Sequence, residues 1–225
     1  MTARGVRQAA PAVTVSRPRP ARRMRPGMRL MRLHAASRRI PPALAGVAAC
    51  GLGLRIALIG HWDAYGALQL PLVFEAGAAV AIIVTTASPL GEPERVAGGR
   101  VPFLRLAAAL VLTAAAIGTL AAAGTGAHLA GGTLDVLRNV AGMTGIGLLS
   151  AAALGGALAW AGPTGYLVLG VYALYTQWHG PALTTPWLWP ARPPHDLGAA
   201  ICAGLVFTLG MAVITMRGAR DPVDE

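Results

Sequence analysis

The sequence predicts an all-α, polytopic membrane protein. It has six transmembrane helices, both termini on the cytoplasmic side, and a short N-terminal amphipathic helix. Three observations carry this. Hydrophobic residues make up 55% of the 225 residues and charged residues 12%, against about 25% charged in an ordinary soluble domain. Six apolar runs approach the ~20 residues that a helix rising 1.5 Å per residue needs to cross ~30 Å of hydrocarbon. The arginines also gather on one side of those runs, as the positive-inside rule requires.

Residues 1–27 are rich in Arg, Pro and Ala, have no apolar period, and are expected to be a disordered tail. Residues 28–40 (MRLMRLHAASRRI) differ. Leu30, Leu33, Ala36 and Ile40 share one helical face, with Arg on the other. That pattern fits an amphipathic helix lying among anionic head groups. An unstructured basic leader is the plainer reading. Met24, Met28 and Met31 are further candidates for the translation start. Ser37-Arg38-Arg39 touches on an export signal, and Val47-Ala48-Ala49-Cys50 on a lipoprotein box. However, Pro41-Pro42 interrupt the first, and the apolar run continues through the second, so a first transmembrane helix is the better reading of both.

Residues 41–216 form the transmembrane domain, with spans at about 42–61, 67–88, 103–124, 140–160, 163–179 and 196–216, and 217–225 form a cytoplasmic tail. The chain has no Lys, and 11 of its 19 cationic residues precede residue 41. The loop 89–102 (Arg95, Arg100) and the C-terminal tail (Arg217, Arg220) fall on the same side as that leader. The opposite side receives 61–66, 125–139 and 180–195, with only Arg138 and Arg192. Trp62, Tyr65, Trp178, Trp187 and Trp189 cluster there as an aromatic belt, with Trp160 at the inner boundary. The Trp- and Pro-rich 180–195 is too apolar for a free loop and is expected in the outer leaflet. Residues 126–138 read as a short outer helix pairing Asp135 with Arg138 at i,i+3. Cys50 and Cys202 fall in apolar stretches, as small buried hydrophobes do.

Several residues could carry chemistry. Arg55 and Glu75 lie inside spans 1 and 2, where a charge costs at least ~2.5–3.5 kcal/mol and is paired or faces water. Each is ten residues from position 65, so an antiparallel hairpin brings them opposite each other. The pair either pins the hairpin or forms part of a translocation path. Pro71 removes one helical hydrogen bond below Glu75. Span 4 is dense in small residues, Gly142, Gly145, Ser150 and Gly155 among them. These suit close helix packing, a dimer interface or a path lining. In the inner loop, Glu92, Glu94, Arg95 and Arg100 are candidates for docking a soluble partner, and they are also what a solvated loop looks like.

Other classes are excluded or unsupported. Without Lys there is no phosphate-binding G-x-x-x-x-G-K-[ST] loop, and there is no G-x-S-x-G elbow. His61, His128, His179 and His195 gather on the outer side but lack metal-ligand spacing. The sequence therefore points to no enzyme, no cofactor, no metal and no nucleic-acid partner. The lipid bilayer is the one partner it implies directly.

Six spans, a basic helix before the first, a charged inner loop between spans 2 and 3, and an outer Trp/Pro segment between spans 5 and 6 resemble the membrane subunit of an ABC-2-type exporter. The stretches SPLGEPERVAGGRVPFLRL (88–106) and LRNVAGMTGIGLL (137–149) are similar to small actinobacterial permease-like membrane proteins. The resemblance covers 28–220 in architecture. It implies a permease-like subunit of an ABC-type export system, homo- or heterodimeric and powered by a separate ATPase that touches 28–40 and 91–100. The alternative is a non-transporting scaffold, an assembly factor or an extracytoplasmic sensor. A permease needs an inner docking face, and a sensor needs outer segments that close a pocket.

Overall fold

A computed structural model of the chain describes residues 39–60, 64–86, 101–127, 129, 131–176 and 185–217. The tail 1–27, residues 28–38 of the amphipathic stretch, and Glu92, Glu94, Arg95 and Arg100 lie outside the described residues. So do His61, Trp62, His128, Trp178, His179 and residues 218–225. All regular structure among the described residues is helical. Six α-helices follow in order: α1 (Ile40–Ile59), α2 (Ala64–Ile83), α3 (Val101–Ala123), α4 (Gly132–Leu154), α5 (Ala161–Thr176) and α6 (Leu197–Arg217). Short 3-10 turns follow α2 (Val84–Thr86) and precede α6 (Trp189–Ala191). By length and composition, α1, the Phe103–Ala123 part of α3, α4 and α6 can each cross a membrane. α2 contributes a shorter apolar stretch, Gln69–Ile83, and α5 has 16 residues. Four helices of this kind mark an integral membrane protein.

Local sequence sets most boundaries. α1 opens with Pro at its first positions, where a missing N–H costs nothing. Arg39 before it has a left-handed backbone, φ 55°, so α1 is not a continuation of the helix expected over 28–40. α4 departs from expectation. It begins at Gly132, not near 140, and takes in residues 132–138 of the short outer helix expected at 126–138, while 126, 127, 129 and 131 lie outside helix. It ends at Gly155, whose φ of 88° suits glycine and few other residues.

α4 is the central helix. Its apolar window is 61% buried, against 22–33% for the other three candidate spans. It packs against α2, α3, α5 and α6, and α1 lies across α2 and α3. Lipid tails are as apolar as Leu, so close van der Waals packing must hold such helices together. Glycines permit it. A Cβ on Gly51 would come within 2.4 Å of Thr119, and one on Gly53 within 2.5 Å of Phe74. At the α4–α6 contact the obstacle is backbone: a Cβ on Gly145 would meet the backbone of Val206 and Phe207 at 2.6 Å. Two apolar clusters result. One joins α1, α2, α3 and α4 around Leu54, Ile82 and Leu120. The other joins α2, α4, α5 and α6 around Ile83, Met143 and Leu148.

Leu129 and Gly131 after α3 and Pro190–Pro193 before α6 lie together at one end of the bundle, around the start of α4. There, 185–196 folds back onto the helices as a cap. Trp189, expected in an outer aromatic belt, is 2% exposed instead. Its indole lies over Gly142, where a Cβ would come within 2.5 Å of the ring. It also packs on Tyr166 at a centroid distance of 4.5 Å, and the Tyr166 hydroxyl donates to the Trp187 carbonyl at 2.7 Å. The aromatic residue is drawn inward because glycine leaves a slot its size. Trp187 remains half exposed.

Candidate functional site

The first two turns of α4 carry Asp135, Arg138 and Asn139, all three facing inward. Arg138 is buried and pairs with Asp135. It also donates to the Pro193 carbonyl at 2.9 Å and the Arg192 carbonyl at 3.2 Å. One guanidinium, with five donors in a fixed fork, thus ties the start of α4 to the cap. Gly131 makes the arrangement possible, because a Cβ there would overlap the Asp135 carboxylate.

One turn deeper, the Asn139 amide donates to Glu75 Oε2 at 2.9 Å. Glu75 is 1% exposed and Asn139 5%. A cavity of about 20 Å³ adjoins them, with Glu75, Asn139, Asp135 and Gly131 in its wall and Leu129, Pro71 and Pro190 toward the cap. Such a volume holds about one water-sized particle. A polar column therefore runs from the capped end into the bundle.

The structure separates the pair expected at Arg55 and Glu75. Arg55 is exposed and donates to the carbonyls of Thr125 at 2.7 Å and Ala123 at 3.3 Å. The end of a helix leaves carbonyls without intrahelical partners and carries partial negative charge, so the end of α3 is a natural seat for a guanidinium near the membrane boundary. Equal distance from a turn fixes depth but not the direction around each helix axis. Glu75 faces α4, and Arg55 faces α3. Asn139 was missed as its partner. An amide in an otherwise apolar span was the available signal, and it lies in the stretch 137–149.

The small residues of span 4 divide by role. Gly142 receives Trp189 and Gly145 receives α6, while Gly147 meets Ile83. Ser150 donates to its own helix at Ile146, 2.9 Å. Gly155 ends the helix.

A second concavity lies between α4 and α6 beneath the cap. It has a volume of about 310 Å³, apolar walls including Leu134, Leu137, Ala200 and Gly204, and a polar rim of Arg138, His195 and Asp196. Asp196 also caps α6. Its carboxylate accepts from the Ala199 N–H at 3.1 Å and pairs with Arg192. The backbone N–H of Ala199, and then Arg192, hold its carboxyl below the ordinary value of 3.8. A depressed folded pKa stabilises the fold above the ordinary carboxylate range, and that contribution disappears as pH falls through the folded value. In detergent, the melting temperature should therefore fall more steeply below about pH 4 in the wild type than in Asp196→Ala. Identical acid profiles would refute the cap's role.

Among the described residues, no group of three or more His, Cys, Asp and Glu could hold a metal ion. In comparisons with family models, curated proteins and solved structures, nothing matches this chain.

Proposed function

We propose that this is a six-span protein of the cell membrane, both termini cytoplasmic, whose outer face binds a small amphiphile, as an extracytoplasmic sensor does. By the arginine bias, the capped end is the outer one. One observation carries the reading: residues 185–196 fold back, held by Arg138 and Trp189, and their last residues, Pro194, His195 and Asp196, border one end of the 310 Å³ concavity between α4 and α6. A site of that size, with apolar walls and a few polar groups at one rim, has the character of small-molecule sites. Its walls suit an apolar body, and its rim suits a polar head.

The test is native mass spectrometry of the full chain, extracted gently from its host membrane. The wild type should retain an amphiphile that Ala200→Trp, which fills the concavity, releases without loss of melting temperature. Retention by neither protein, or equally by both, would overturn the reading.

The permease-like subunit is the second reading, and the buried Glu75–Asn139 pair favours it, because charged groups inside membrane bundles mark ion and substrate pathways. The same extraction tests it. A co-purifying ATPase that is lost when Glu92, Glu94 and Arg95 are neutralised would move the assignment to an ABC-type export subunit.

A further inference from the structure

We propose that Glu75, Asn139 and Asp135 form a binding site for a single small monovalent cation, sodium by size, entered from the capped end. Charge is the first argument. With both carboxyls ionised, as in an ion-loaded state, Glu75 and Asp135 bring two negative charges against the one positive charge of Arg138. Arg192 is occupied by Asp196, and Arg55 by carbonyls at the end of α3. The cluster then holds one negative charge more than positive, and Glu75 is 1% exposed. A buried charge without compensation is strongly destabilising. One positive charge balances the cluster, and two would overshoot.

The second argument is an acceptor without a donor. Asn139 is 5% exposed, and its Nδ2 donates to Glu75. Its Oδ1 is buried and has no hydrogen-bond partner among the described residues. With the amide nitrogen given to Glu75, the orphan is the oxygen of a residue that lines the cavity. Its need is for a cation or a donor.

The third argument is size and donor type. The cavity holds about 20 Å³, room for one ion of water-like dimensions. Calcium takes six to eight oxygens, and magnesium keeps several waters; a divalent ion of either kind would also leave the cluster with excess positive charge. The side chains offered, two carboxylates and an amide, are hard oxygen donors. Leu129 and Gly131, outside regular helix, also line the cavity. Non-helical backbone at this depth is tolerated where it lines a cavity.

This site is separate from the concavity between α4 and α6, so its failure would leave the amphiphile reading standing, and the reverse. The test is binding of radioactive sodium to the purified full chain in detergent, with choline chloride as the ionic-strength control. The wild type should bind saturably, with unlabelled sodium competing, potassium competing more weakly and choline not at all. Glu75→Gln keeps the shape and a partner for the Asn139 amide but removes the charge. It should weaken binding by about 100-fold or more, and Asn139→Ala by about 10–100-fold. A folding-independent readout uses the wild type alone. Sodium, and not choline, should raise its melting temperature saturably, since a ligand of the folded state stabilises it by mass action. No saturable sodium binding would overturn the proposal and leave a proton as the compensating charge. Binding unchanged in Glu75→Gln, or calcium competing better than sodium, would overturn it as well.

Discussion

Gly145→Leu should abolish the folded protein, and Gly145→Ala should destabilise it by about 1–3 kcal/mol or more. The neighbours of a new Cβ explain the severity. They are the Val206 carbonyl oxygen and the Phe207 N and Cα, all at 2.6 Å. A side chain can rotate away, but α6 backbone can yield only by moving the whole helix. The contact is reciprocal, because a Cβ on Gly210 would lie 2.6 Å from the Gly145 carbonyl oxygen. Gly204 on the same α6 is the control, since a Cβ there meets nothing within 4 Å. Gly204→Ala should be neutral or stabilise by about 0.5–1 kcal/mol through helix propensity. Equilibrium unfolding in mixed micelles measures all three. Equal effects at 145 and 204 would refute close α4–α6 packing as the organising contact.

Asn139→Leu should cost about 2–4 kcal/mol, because it strips the Glu75 carboxylate of its hydrogen-bond donor inside the bundle. Adding Glu75→Leu should recover much of that loss, since two apolar groups of similar volume remove the unsatisfied charge together. The double variant being more stable than the single one is a strong demand, because most pairs of damaging substitutions worsen each other or add. A double variant that simply sums the single losses would show that Glu75 and Asn139 act independently.

The helices were legible because apolar runs bounded by Gly, Pro and charge define them. α1, α3 and α6 begin and end within about two residues of their expected limits, an ordinary uncertainty at helix ends. α4 was misplaced at its start for a physical reason. Asp135, Arg138 and Asn139 look like loop residues until their partners are known, and the partners come from Glu75, Arg192 and Pro193, far away in sequence. The same limit separated Arg55 from Glu75. Spacing along a hairpin gives height, but 3.6 residues per turn and the choice of neighbouring helix decide which way a side chain faces. Trp189 shows the reverse case. Its amphipathic ring and position suggested a lipid boundary, and only the slot at Gly142 reveals why it turns inward. The column at Glu75 was half legible: the buried charge was visible, and its amide partner was not.

The fork of Arg138 also imposes an order in time. Its carbonyl acceptor at Pro193 lies 55 residues downstream. At a synthesis rate of ~5–20 residues per second, that stretch takes about 3–11 s to emerge. Over that interval the start of α4 holds Asp135 and Arg138 with only each other, while Glu75 is already there to meet Asn139. A nascent chain therefore passes through a stage in which its central helix is inserted but its charged end is uncapped. A product truncated before residue 185 would remain in that stage, displaying half-satisfied charges at the membrane surface as a mark of unfinished assembly.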